Sequence, residues 1–347
     1  MSGPLTIPPS DMIDGVSAPD GPSGDVARED LEQAILGGVP SLTSADVARR
    51  AGVSVDEARR LWRALGFPDA GDQAAFTEAD QSALSTIIVA VREGTIDFDT
   101  AIKLTRAVGH TMARLADWEV ATLTTHIEQL EGAGDGSAGS RLGSALRLTS
   151  QVGVPFERLL LYSWRRHLAA AVARVEALGA ADADLHTTQV TVGFADLVRF
   201  TALSNTLDDD GIGDMVEVFE SRCADVVAAR HGRVIKTLGD SVLFVCENPA
   251  AAMEIALSII DVIGHDQRLP DVRIGMATGS VVTRLGDVFG PSVNLAARLT
   301  SVARRNRVIA DQATAELLPP TQFDSRPLAP RPLRGFGVVE PYAVRRH

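Results

Sequence analysis

Lysine is almost missing from this chain: Lys103 and Lys236 are the only two among 33 basic residues. Preference for arginine is ordinarily a matter of G+C-rich coding, yet it leaves Lys236 as the one lysine beyond residue 103. A compact ammonium can meet a single ring-nitrogen acceptor where a planar guanidinium fork does not fit. Cysteine is equally scarce. Cys223 and Cys246 are the only two, which excludes a disulfide framework and a zinc-ligand spacing and points to a reducing cytoplasm. No apolar run reaches 18 residues; the best, STIIVAV at 85–91, is far too short to span a bilayer. The N-terminus has neither the basic nor the apolar segment of a secretory leader. Positive charge is also in deficit. A formal net charge of −12 argues against a non-specific nucleic-acid surface. A cytoplasmic protein without a transmembrane segment is expected.

What is present is enough for two domains: 347 residues, 45% of them hydrophobic. Residues 1–27, rich in Pro, Gly, Ser and Asp, are expected to be a disordered tail. Residues 28–178 carry apolar positions at three- and four-residue spacing, as in VDEARRLWRAL and FERLLLYSWRRHLAAAVARVEALG, and are expected to form an all-α domain. Glycine-rich breakers interrupt that pattern, notably GAGDGSAGS at 132–140. A short linker is expected over 179–188, and a second domain over 189–347.

The character changes after Thr188. The runs QVTVGFADL, GRVIKTLG, SVLFVCE and VRIGMATGSVV are β-rich, and helical segments separate them in the order β–α–β–β–α–β. LGDS reads as a tight hairpin with Gly239 at the bend. The fold class expected is α+β: a ferredoxin-like, split βαβ sheet with helices on one face, preceded by the all-α domain.

Chemistry concentrates in this second half. Asp196 in VGFADLVRFT and Asp240 in VIKTLGDSVLF each sit where a strand-like run meets a turn. GDVFGPSVNLAARLT adds Asp287, Asn294 and Arg298. With Lys236 these form a set suited to a nucleoside triphosphate, because phosphoryl-group chemistry needs hard cations held by carboxylate oxygens. A single Asp at a strand end is ordinarily a turn cap, and Asn294 and Arg298 alone would read as a solvated helix face. The combination is what raises them above that.

FADLVRFT, KTLGD and DVFGPSVNLAAR together resemble the metal-binding and nucleotide-binding motifs of class III adenylyl cyclases, and the stretch 187–347 resembles their catalytic domain. The resemblance implies that Asp196 and Asp240, with the backbone carbonyl of Leu197, bind two Mg²⁺ or Mn²⁺ per active site. It implies that Lys236 and Asp287 read adenine and so favour ATP over GTP. Asn294 would orient the ribose and Arg298 would neutralise charge on the α-phosphate. Arg334, in RPLRGFG, occupies the place of a basic residue contacting the terminal phosphates. The family draws its metal aspartates and its base-reading residues from different subunits, so a homodimer with two composite active sites is implied. Arg199 departs from the pattern, standing where such motifs often carry glycine. A diguanylate-cyclase-like enzyme is disfavoured by the lack of a GGDEF-like run.

The helical half is less explicit. Residues 41–68, SLTSADVARRAGVSVDEARRLWRALGFP, have the cadence of a helix–turn–helix. The acidic balance favours a plain helical bundle over DNA as a partner. A DNA-binding regulator with a nucleotide-sensing C-terminal half is the alternative function class. The layout resembles actinobacterial soluble cyclases whose helical domain inhibits and responds to acid pH; His110, His126, His167 and His186 are the titratable candidates in or near it.

Overall fold

The structure is a computed structural model that describes residues 31–132, 141–177, 187–284 and 286–347. The tail expected at 1–27 lies outside the described residues, as does the linker expected at 179–188 apart from Thr187 and Thr188, which open the first strand. The chain divides into two compact units between Val172 and Ala173.

The N-terminal unit is helical: α1 Ser44–Ala51, α2 Val55–Leu65, α3 Glu78–Arg92, α4 Phe98–Gly132 and α5 Arg141–Ala177. Three of these start on capping boxes, Thr43 with Asp46, Ser54 with Glu57 and Thr77 with Asp80. In each, side chain and backbone satisfy one another's orphan donors. Gly52, at φ 70°, ends α1 in the left-handed region and lets the chain turn into α2 after three residues. Trp62 on α2 stacks on Phe76 at 5.1 Å in a core with Leu42, Val47, Leu61, Leu84 and Ile88. The helix–turn–helix cadence at 41–68 therefore matches two real helices. Their arginines are largely neutralised: Arg50 pairs with Glu78 at 2.6 Å, and Arg59 and Arg60 lie 3.6 Å from Asp69 and Asp99.

The C-terminal unit is built on an eight-stranded sheet. Its strands are β1 Thr187–Leu197, β2 Arg233–Thr237, β3 Ser241–Cys246, β4 Val272–Arg284, β5 Asp287–Phe289, β6 Val308–Ala310, β7 Phe323–Pro327 and β10 Tyr342–Arg346. The order is β2-β3-β1-β4-β6-β10-β7, with β5 paired to β4. The first four give the split βαβ, ferredoxin-like arrangement, and their pairings are antiparallel; β4 and β6 run parallel. β8 Arg331–Leu333 and β9 Gly337–Val339 form a separate hairpin.

Alternation along the strands assigns the two faces. Ala195, Leu197, Val242, Phe244, Val272 and Ile274 point into one core, shared with Phe219 of α7 (Asp209–Ala228) and Ile255 of α8 (Pro249–His265). Each fully buried Phe or Ile there contributes roughly 1.5–3 kcal/mol. Val190, Val192, Leu243, Val245 and Ala277 point the opposite way and meet Ala296 of α9 (Pro291–Val302). Helices thus cover both faces, and the expectation of one helical face is corrected. The sequence pattern of α9 shows an apolar stripe but not which side of the sheet it packs on. Gly275 permits the close approach of α9, since a Cβ there would lie 2.5 Å from the Ala296 carbonyl oxygen and closer still to the Thr300 nitrogen.

Candidate active site

Asp196, the penultimate residue of β1, pairs across the sheet with Ser241 of β3 on one side and Arg273 of β4 on the other. Directly opposed residues share a face, so all three side chains project from the α9 side of the sheet. The Ser241 hydroxyl donates to Asp196 Oδ1 at 2.5 Å, and Arg273 Nε donates to Oδ2 at 2.7 Å. Asp240 lies on the β2–β3 hairpin, and its carbonyl accepts from the Leu197 amide at 2.9 Å. Gly239, at φ 66°, makes that bend possible. Burial raises the carboxyl pKa of Asp240, and the negative charge of Asp196 raises it further. Two carboxylates are thus held together against both desolvation and like-charge repulsion. A divalent cation relieves both costs, and Mg²⁺ needs only one or two protein carboxylates beside water and phosphate oxygens. The residues fit such an ion. Among the described residues no group of three or more His, Cys, Asp or Glu could do so.

Lys236 owes its direction to a bulge. Val234 opposes Phe244 and Lys236 opposes Leu243, so Ile235 is an extra residue in β2. In an unbroken register Lys236 would oppose Val242, whose side chain lies in the core under α7 and α8. The bulge moves it to the face of Leu243, where Nζ donates to Asp287 Oδ2 at 2.6 Å. Asp287 opens β5, and its Oδ1 also accepts from the Val288 amide at 2.8 Å. Lys236 and Asp287 are 33% and 26% exposed, so each shields the other while remaining open to a ligand.

Asn294 and Arg298 stand one turn apart on α9. Both are exposed. The described residues offer neither side chain a hydrogen bond or ion pair. Arg334, at the turn between β8 and β9, is likewise exposed and has no partner among the described residues. Nor does any direct bond join the Asp196–Asp240 pair to the Lys236–Asp287 pair.

Residues 184–346 match the family described as the adenylate and guanylate cyclase catalytic domain. An adenylate cyclase of Streptomyces coelicolor is 38% identical over 96% of this chain and 94% of its own length. The chain belongs to the adenylate and guanylate cyclase family. A second relative, an adenylate cyclase of Glutamicibacter nicotianae, is 38% identical over 99% of this chain and 86% of its own. A pH-sensitive adenylate cyclase of Mycobacterium tuberculosis is 29% identical over 88% of this chain and 78% of its own. The likeness to these relatives extends well beyond the cyclase domain into the helical half.

Within this cyclase, the structure brings the sequence-expected residues into two pairs and one helix face. Asp240 lies within electrostatic reach of Asp196, Lys236 meets Asp287, and Asn294 lines up with Arg298. Two neighbours were missed in the sequence: Ser241 and Arg273, which take both oxygens of Asp196. Strand alternation in VRIGM puts Arg273 on the face opposite Val272 and Ile274, but only the β1–β4 register puts it beside Asp196. Arg199 sits at φ 64°, in the left-handed region, as the residue before the short helix α6, Phe200–Ser204. That explains why glycine suits the position. No helix among the described residues is long and apolar enough to cross a membrane.

Proposed function

We propose that this chain is an adenylyl cyclase that converts ATP to 3′,5′-cyclic AMP and pyrophosphate at two composite sites of a homodimer. The observation that carries the reading is the Lys236–Asp287 pair, held at 2.6 Å on the face of the sheet that also carries Asp196. An ammonium donor beside a carboxylate acceptor complements adenine, whose N1 accepts and whose exocyclic amine donates. Guanine reverses both positions and would leave each protein group facing its like. An unpaired buried polar partner of that kind is costly, about 1–3 kcal/mol, so the pair discriminates ATP from GTP. In the nucleotide-free chain the two groups satisfy one another, and adenine replaces that bond with two.

Asp196 and Asp240, with the Leu197 carbonyl, would hold two Mg²⁺ or Mn²⁺ ions. Such ions acidify the ribose 3′-hydroxyl and neutralise the pyrophosphate leaving group. Asn294 would hold the ribose so that its 3′-oxygen faces the α-phosphorus in line with the leaving group. Arg298 would donate to the α-phosphate oxygens as their charge grows, a role that an arginine fills at a cost of several kcal/mol when removed. Arg334 would contact the terminal phosphates. The exposed side chains of Asn294 and Arg298, unpartnered among the described residues, and the lack of a direct bond there between the two pairs support a site completed by a second subunit. DNA has no part in this reading: Arg49, Arg50, Arg59 and Arg60 of α1 and α2 already face Asp or Glu. Work in the cytoplasm, where ATP is available, belongs with it.

The direct test is to incubate the purified full chain with Mn²⁺ and ATP and look for cyclic AMP plus pyrophosphate, beside Asp240→Ala and Lys236→Ala. Product from the parent and almost none from the variants supports the reading; no product from the parent at any pH overturns it. We further propose that the helical half inhibits in a pH-dependent way. His110, His126 and His167 are exposed there; His186 lies outside the described residues. Activity of the full chain and of a 180–347 fragment, compared from about pH 5.5 to 8, should diverge; parallel profiles would sink the idea.

A further inference from the structure

Both oxygens of Asp196 are already hydrogen-bonded before any metal arrives. Its Oδ1 accepts from the Ser241 hydroxyl at 2.5 Å, and its Oδ2 accepts from Arg273 Nε and lies 2.7 Å from the second guanidinium nitrogen. The same guanidinium is anchored on a second side, where Nη1 donates to the Ser301 carbonyl of α9 at 3.2 Å. The ion pair is sheltered, with Asp196 15% and Arg273 31% exposed.

We propose that Arg273 masks Asp196 in the metal-free chain, its guanidinium holding the carboxylate edge that a divalent cation must take. The inference rests on the metal reading of Asp196 and Asp240. Two guanidinium nitrogens already lie 2.7 Å from Oδ2 and fill its acceptor sites, so a cation bound to that oxygen displaces at least one of them. Register ties Arg273 to Asp196 across adjacent strands, so the displaced arginine stays close and competes continuously. Its charge also offsets one of the two carboxylates, halving the field that would attract a cation. Arg273 is thus a positioning residue that keeps the metal-free site from collapsing or from holding stray cations. Ser241 keeps Oδ1 in place during the exchange.

The test measures Mn²⁺ affinity of the nucleotide-free full chain by the electron paramagnetic resonance signal of free Mn²⁺. Arg273→Met should bind Mn²⁺ about tenfold more tightly than the parent, the equivalent of one charge-assisted hydrogen bond no longer competing. Arg273→Lys, which keeps charge but loses the fork, should gain less. Equal or weaker binding by Arg273→Met, with an unchanged circular dichroism spectrum, overturns the proposal; a merely structural role predicts that weakening. Should Arg273→Met fail to fold, the Nε–H resonance of Arg273 in the parent decides: it should shift as Mg²⁺ saturates, and a fixed resonance overturns the proposal. Asp196→Asn separates the two readings. Parent-like Mn²⁺ binding by that variant removes the metal assignment itself, whereas lost binding beside an unaltered Arg273→Met affinity removes only the mask.

Discussion

At the scale of residues, the two pairs carry opposite risks. Lys236 and Asp287 are complementary and stabilise each other, so either alone is left exposed to the other's loss. Lys236→Met and Asp287→Asn should each lower kcat/KM for ATP by ~10²-fold, in line with an orphaned charged partner at about 1.5–3 kcal/mol. Steady-state kinetics with ATP and GTP checks this, and an unchanged ATP/GTP ratio would contradict the base-reading role. Asp196 and Asp240 are like charges, and here the sign works the other way. A carboxyl whose pKa is raised in the folded chain favours folding when protonated; that contribution is present at acid pH and lost as pH rises through the folded value. At neutral pH ionised Asp240 therefore destabilises the metal-free fold. Asp240→Asn should raise the melting temperature of the metal-free protein at pH 7 while abolishing activity. The gain should vanish below about pH 4, where the parent carboxyl is protonated too. Melting curves across pH follow both effects. These residues were legible in the sequence because together they fill the motifs FADLVRFT, KTLGD and DVFGPSVNLAAR, whereas each alone would read as a turn cap or a solvated face. Ser241 and Arg273 were not, since neither stands out until strand register makes them neighbours of Asp196.

At the scale of elements, the bulge in β2 decides where the lysine points. Nothing in GRVIKTLG marks Ile235 as the unpaired residue, because a β-branched side chain is at home in any strand position. Only the pairing with β3 reveals it. Deleting Ile235 should restore an even register and turn Lys236 toward the core of α7 and α8. Activity should then fall at least as far as in Lys236→Met, about 10²-fold, whereas Ile235→Val should stay near parental activity. An active deletion variant would show that the bulge is dispensable. Arg199 offers a test in the opposite direction. An L-residue in the left-handed region costs about 1 kcal/mol over glycine, part of which is returned through glycine's freer unfolded chain. Arg199→Gly should therefore stabilise by roughly 0.5 kcal/mol, read by urea titration. Gly275 is the reverse case: the backbone of α9 fills the space where a Cβ would sit. Gly275→Ala should shift the helix that carries Asn294 and Arg298, costing about 1–3 kcal/mol and most of the activity.

At the scale of the whole molecule, the β–α–β–β–α–β succession along the chain and the division into a helical and a mixed unit follow from periodicity, which the sequence displays openly. The face chosen by α9 does not, because an apolar stripe fits either side of a twisted sheet. Its position matters most of all: it sets Asn294 and Arg298 on the face that carries Asp196 and the Lys236–Asp287 pair, while the described residues offer their side chains no partner. A composite dimer accounts for that arrangement, and mixing inactive variants examines it without structural assumptions. On the proposed assignment Asp240→Ala loses a metal carboxylate and Arg298→Ala loses the α-phosphate contact, so each homodimer should be silent. Reassociated in equal amounts, half of the dimers should be mixed and each should contain one intact site of two. Cyclic AMP formation by the mixture should recover to about one quarter of the parental rate; a mixture as inactive as its components, beside an active parent, would contradict the shared site.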